Sequence, residues 1–301
     1  MANQSIHGVS GEGLQTTAAY IVEKVYIAAI VVIIGLMLLH WVIDLAKHLR
    51  TLTSEGPRIQ RMTLNEVWQH FFLMITFIVL VVSGFALRFS DGFLTQLFFG
   101  WKGGFELRGD VHRVAAVLFL LTACWHMVYV FTSRRGRQVV KDMFPTWRDF
   151  AQFWRRIQWN IGRRANPPRF GRFSYVEKAE YWALVWGSVI MVITGILLWF
   201  DNWFIAFLPK GFLDVSLVVH YYEAWLATLA ILVWHLYSTV FSPHVYPMNP
   251  SWLNGKMPEP MYRHEHPDHI DQAKRETEES LRAELKRFSG GEDGNETDPD
   301  A

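Results

Sequence analysis

Five apolar blocks, each long enough to cross a lipid bilayer, constrain this chain more than any other feature. A hydrocarbon core about 30 Å thick needs roughly 20 helical residues. The blocks run from about Tyr20 to Leu45, Leu64 to Phe89, Gly109 to Phe131, Tyr175 to Phe200 and Val215 to Phe241. Lipid offers the backbone no hydrogen bonds, so blocks of this kind must satisfy their own polar groups as helices. A composition with 51% hydrophobic residues, 14 Trp and 22 Phe agrees with this. The expected fold is all-α and integral to the membrane, with a four-helix bundle and one extra N-terminal span. Residues 1–17 are polar, without a basic n-region or a small-residue cleavage site, so no cleavable leader is expected.

Charge in the connections predicts orientation. Residues 47–62 and 134–172 hold four and eleven Lys or Arg, whereas 90–110 and 201–213 hold two and one. The basic pair belongs on the cytoplasmic side, which puts the N-terminus outside and the C-terminus inside. The stretch 134–172 also interleaves Trp147, Trp154 and Trp159 with its cations. Between two spans this reads as a segment on an anionic membrane surface, with no nucleic acid implied. Residues 90–108 read as a loop. The divisions are then 1–63 (tail, first span and connector), 64–242 (four-helix domain) and 243–301 (cytoplasmic polar tail). The tail carries a charged helical pattern over about Asp268 to Phe288 and is expected to be disordered from about 289.

Within the spans the histidines are ordered. His220 and His235 close HYYEAWLATLAILVWH, and His112 and His126 close HRVAAVLFLLTACWH. In an α-helix fifteen steps leave two side chains roughly 60° apart and about 22 Å along the axis, and fourteen steps roughly 40° and about 21 Å. Each helix therefore presents one imidazole near each side of a bilayer. Two such helices in one membrane protein point to haem, because paired neutral imidazoles bind iron without placing a charge in lipid. The single cysteine, Cys124, excludes a Cys-x-x-Cys-His attachment within this chain, so the haem would be of b type. Cys124 itself reads as apolar packing. By position, Arg88, Arg108 and Arg113 outside and Arg134 and Arg135 inside are candidate partners for the propionates.

A duplication underlies this order. Trp125-His126-Met127 and the following VYVFTS match Trp234-His235-Leu236 and YSTVFS at an offset of 109, and Ser83-Gly84-Phe85-Ala86-Leu87 matches Thr194-Gly195-Ile196-Leu197-Leu198 at an offset of 111. The two hairpins form a parallel repeat about an axis along the membrane normal. It would set His112 opposite His220 and His126 opposite His235, while His70 aligns with Tyr181. His40, His70, His126 and His235 share a depth near the inner surface, and only His112 and His220 lie near the outer one.

Other readings are weaker. A transporter or scaffold whose membrane histidines bind protons or ions would want Gly- or Pro-broken spans at corresponding positions. A di-metal oxidase would want short-range histidine boxes. His264, His266 and His269 have a spacing that allows a transition metal, although no Cys supports a closed site. The plainer reading is a solvated charged segment that docks a partner.

With these residues in place, the chain resembles the membrane cytochrome b subunits of respiratory oxidoreductases. That is the family of the formate dehydrogenase gamma subunit and the b-type cytochromes of nickel-iron hydrogenases and thiosulfate reductase. The resemblance covers about Leu64 to Phe241. It is carried by the His70 helix with Ser83-Gly84, the His112 helix, the Thr194-Gly195 helix with Leu198-Trp199, and the two-histidine last helix. It implies an outer haem b on His112 and His220 and an inner one on His70 and His235. The repeat instead gives His235 to His126, as in the cytochrome b of quinol-oxidising bc complexes, so the partner of His235 stays open. His126 and an extra span bearing His40 depart from the formate dehydrogenase pattern, and together they would allow a third haem.

The resemblance further implies a subunit of the bacterial inner membrane that anchors a catalytic or multihaem cytochrome partner and exchanges electrons with the quinone pool. FGRFSYVEKAEYW sits where the family forms its inner quinone pocket, which makes Ser174, Glu177 and Lys178 candidates for quinone contact or proton delivery. The same residues also spell a capping box, Ser174 with Glu177.

Overall fold

The computed structural model describes residues 56–289, together with 32, 35, 36, 39 and 42. The chain divides into a unit Met1–Glu55 and a unit Gly56–Ala301. In the first unit Val32, Gly35, Leu36, Leu39 and Val42 are helical. The rest of the expected first span, His40 included, lies outside the described residues.

In the second unit, strand β1 (Arg58–Gln60) leads into helix α1 (Leu64–Arg88). Thr63 caps α1 reciprocally: its hydroxyl accepts the Glu66 N–H at 3.3 Å, and its own N–H donates to the Glu66 carboxylate at 2.6 Å. The stretch expected as a loop contains a short helix α2 (Phe93–Phe99), pinned where the buried Thr95 hydroxyl donates to the Phe89 carbonyl at 2.6 Å. Gly103, at φ +85°, takes the left-handed turn that opens helix α3 (Gly104–Thr132).

The basic connection forms helices α4 (Arg134–Met143) and α5 (Trp147–Asn160). Helix α6 (Tyr175–Trp199) follows, then a one-turn helix α7 (Asp201–Phe204) and the long helix α8 (Lys210–Phe241). Beyond Leu229, α8 widens into π-helical register over Ala230–His235 and Tyr237–Phe241.

Four of these helices, α1, α3, α6 and α8, are long and apolar enough to cross a membrane. Their outer faces suit lipid better than water: Val114, Leu121, Val128 and Val233 are each 59–68% exposed. Helix α1 lies against α3 and α6 against α8. The two hairpins meet where Phe85 and Phe89 of α1 touch Trp225 and Tyr221 of α8. Cys124 is exposed on α3 and does not serve as interior packing.

The segment after α8 departs from the expected polar tail. It forms helix α9 (Ser251–Asn254), strand β2 (Lys256–Pro258), helix α10 (Glu259–Glu265) and helix α11 (Ile270–Ser289). Strand β2 pairs antiparallel with β1, Ile59 opposite Met257. Around this ladder Ile59, Val245, Met257, Met261, Tyr262, Ile270 and Ala273 form a buried apolar cluster. Residues before α1 and after α8 thus share a small core at the end of the bundle that carries the basic connection, here termed the basic end.

Candidate functional site

At the end opposite the basic one, each hairpin contributes a helix bearing a histidine and a helix that supports it. There His112 of α3 and His220 of α8 face each other with ring centres 6.4 Å apart. The Nδ1 of His112 lies 2.9 Å from the Ser83 hydroxyl, and that of His220 lies 2.8 Å from the Thr194 hydroxyl. Both hydroxyls already donate their one proton back along their helices, Ser83 to the Val79 carbonyl at 2.6 Å and Thr194 to the Ile190 carbonyl at 2.7 Å. Each can only accept from the imidazole, so each ring carries its proton on Nδ1 and keeps a bare lone pair on Nε2. Neighbouring glycines leave room for the rings. A Cβ on Gly84 would sit 3.2 Å from Cε1 of His112, and one on Gly195 would sit 3.5 Å from Cε1 of His220.

Toward the basic end a second pair repeats the spacing. His70 of α1 and His235 of α8 stand 6.3 Å apart, centre to centre. A metal–imidazole bond is about 2 Å long, and a five-membered ring with sides of about 1.35 Å has its atoms roughly 1.1 Å from its centre. Two imidazoles on opposite sides of one metal are therefore separated by roughly 6.3 Å. Both pairs have this separation. His235 Nδ1 lies 3.1 Å from the Glu180 carboxylate, whereas the buried Nδ1 of His70 has no hydrogen-bond partner among the described residues.

His126 is occupied differently. Its Nδ1 lies 2.8 Å from the Gln69 side-chain oxygen and its Nε2 lies 3.2 Å from the Tyr181 hydroxyl. The structure brings His70, not His126, to His235, and both nitrogens of His126 are already taken. The sequence repeat extends to these contacts. Gln69 and Glu180 are equivalent at the offset of 111, as are His70 and Tyr181, so Gln69–His126–Tyr181 and Glu180–His235–His70 are two versions of one arrangement. Only the second presents two imidazoles to each other.

At the basic end several charges are paired within the chain. Arg135 donates to Glu66 at 3.2 Å, and the Tyr129 hydroxyl donates to the same carboxylate at 2.9 Å. Arg61 pairs with Glu177 at 2.5 Å and donates to the Arg172 carbonyl at 2.6 Å. Ser174 and Glu177 form the capping box of α6, the Ser174 N–H donating to Glu177 at 2.7 Å. Lys178 bridges to Asp149 of α5 at 2.9 Å. The polar atoms of these three candidate residues thus have partners within the chain. At the opposite end Arg108 donates to the Ala86 carbonyl at 2.8 Å, Arg88 lies over the rings of Phe89 and Tyr221, and Arg113 reaches Asp110 at 3.5 Å.

His264, His266 and His269 point to separate partners. His264 stacks on His244, His266 Nδ1 donates to the Gly171 carbonyl at 2.9 Å, and His269 Nδ1 lies 2.9 Å from the Tyr262 hydroxyl. His266 and His269 are buried, so this segment is not the solvated one expected. Among the described residues no three His, Cys, Asp or Glu converge as a metal site. Burial, reinforced by Arg61 and opposed by Glu177, lowers His266 to about 4. Burial, reinforced by Glu177 and opposed by Arg61, raises Glu265 to about 7.

No protein-family model and no curated protein matches this chain. The site's chemistry is therefore argued from its geometry. Two facing pairs of imidazoles, with the Nε2 lone pairs of His112 and His220 left free by their hydroxyl partners, form a donor set suited to a low-spin metal with no open position. The cradles at Gly84 and Gly195 leave space at the ring edges, and the unpartnered His70 nitrogen lies in the pair nearest the basic end. These residues fit two haem groups.

Proposed function

We propose that the chain is a b-type cytochrome subunit of the bacterial inner membrane, carrying electrons between a catalytic or multihaem cytochrome partner and the quinone pool. The observation that carries this reading is the pair of facing imidazole sets, 6.4 and 6.3 Å between ring centres, held among four helices that can span a membrane. Haem supplies one-electron chemistry when bound.

The rest is done by the chain's own residues. His112 with His220, and His70 with His235, would be the ligands of two haems b. Ser83 and Thr194 hold the correct tautomers of the first pair, and Glu180 orients His235. Gly84 and Gly195 leave room beside the rings, and the apolar helix faces exclude water. Arg88, Arg108 and Arg113 offer positive charge for propionates at the end opposite the basic one. We read the quinone site as lying at the basic end, on the cytoplasmic side by the distribution of Lys and Arg. There Ser174, Glu177 and Lys178 shape the surroundings through a helix cap and two ion pairs.

The test is the absorbance spectrum and haem content of the purified protein. A low-spin bis-imidazole spectrum with two haems per chain is expected, and His220→Ala should retain one. Full yield of folded protein with no Soret band would overturn the proposal.

A further inference from the structure

We infer that Glu180 sets the potential of the basic-end site, His70 with His235, and holds it below that of the opposite site, His112 with His220. This rests on the haem reading above and adds to it a direction for the difference between the two sites.

Three of the four ligand rings have a partner on Nδ1, and the partners are of two kinds. His112 and His220 donate to hydroxyls, which are neutral and spend their own proton on a helix carbonyl. His235 donates to a carboxylate, that of Glu180, at 3.1 Å. The Ser238 hydroxyl lies 3.3 Å from the other Glu180 oxygen and 3.0 Å from the His235 carbonyl. A carboxylate draws the Nδ1 proton toward itself and pushes electron density onto Nε2, making the imidazole a stronger donor to a metal. A stronger donor and a nearby negative charge both favour the more positively charged, oxidised state. The site with Glu180 therefore holds an added electron less tightly.

The repeat supplies an internal control. Gln69 occupies the position equivalent to Glu180 in the other hairpin and makes the same bond to His126 at 2.8 Å with no charge. The fold needs only a side-chain oxygen at this point of the helix, so a carboxylate is not demanded by packing. The nearby cations are matched by other acids, Arg135 by Glu66 and Arg61 by Glu177. At the opposite end Arg108 is bonded to a neutral carbonyl, Arg88 lies over aromatic rings and Arg113 reaches Asp110.

The experiment is a redox titration of the full-length purified protein, followed spectroscopically at one pH. Wild type should show two steps, and His220→Ala, which retains the basic-end haem, should keep the lower one. Glu180→Gln reproduces the arrangement at Gln69. It should keep two haems, leave the upper step in place and raise the lower one by roughly a tenfold change in the oxidation equilibrium, about 59 mV for one electron. An unmoved lower step in Glu180→Gln with both haems present overturns the inference, and so does a His220→Ala protein that keeps the upper step. Loss of a haem in Glu180→Gln also overturns the inference, because the carboxylate would then be holding the haem in place and not setting its potential. A wild-type protein that binds no haem overturns the functional reading itself, and the inference with it.

Discussion

Ser83 and Thr194 are as much a part of the site as the histidines they hold. Each accepts one imidazole proton because its own is already committed to a helix carbonyl, so removing either hydroxyl frees a ring to turn and to change tautomer. Ser83→Ala and Thr194→Ala should each weaken haem retention at the His112–His220 site by roughly 10- to 100-fold, measured as transfer to a soluble haem acceptor. The glycines beside them differ in tolerance. A Cβ at Gly84 would press on His112 at 3.2 Å, whereas one at Gly195 would make ordinary contact with His220 at 3.5 Å. Gly84→Ala should therefore lose more haem than Gly195→Ala, a ranking that haem-to-protein ratios can check. His126→Ala should leave both haems, because His126 is engaged by Gln69 and Tyr181, and loss of one haem would return it to the ligand set. The sequence displays the Ser-Gly and Thr-Gly pairs as a repeat, but their purpose shows only when each hydroxyl is found on an imidazole.

Among the elements, α1 and α6 begin with the same device, Thr63 with Glu66 and Ser174 with Glu177, again at the offset of 111. Both acids also take an arginine, so each helix entrance is tied to the segment beside it. Arg61 is the more deeply placed, with its guanidinium 4.6 Å over the ring of Phe173. Arg61→Ala should cost about 1–2 kcal/mol by leaving the partly exposed Glu177 without its cation, read as a loss of thermal stability that Glu177→Gln, which removes that charge, partly restores in the double variant. The bounds of α1, α3, α6 and α8 follow the apolar blocks to within a few residues, apart from early starts at Gly104 and Lys210. The π register of α8 was not legible, since nothing in AILVWH distinguishes it from α-helix. It matters because the angle between His220 and His235 drawn from 3.6 residues per turn holds only as far as Leu229.

For the whole molecule, the segment after α8 is a folded cap on the basic end, and the half-buried Glu265 and the buried His266 make its docking depend on pH. Glu265 is raised from an ordinary 4.5 to about 7, by burial first and by Glu177 second. Its native state keeps a proton that the unfolded chain releases, so its contribution is full below pH 4.5 and is lost as pH rises through 7. His266 is lowered from 6.5 to about 4, chiefly by burial. Its contribution is full above pH 6.5 and is lost as pH falls toward 4. The two oppose each other between about pH 4.5 and 6.5, and from there to about 7 Glu265 acts alone. Protection of residues 259–289 from hydrogen exchange should therefore decline between pH 6.5 and 7, and Glu265→Gln should abolish that decline. His266→Gln should abolish the acid loss instead.

What the sequence determined by itself is whatever depends on distance along one helix. It predicted five spans, of which four appear among the described residues as helices able to cross a membrane, along with paired histidines near the two ends of α3 and α8 and a repeat relating the hairpins. Which ring faces which was decided only by the tertiary structure, because it depends on how α1 and α6 sit against α3 and α8, and no period within one helix encodes that register. The pairing of His235 with His70, the place of Glu180 behind it, and the burial of His266 in a segment that reads as polar all follow from contacts between residues far apart in the chain.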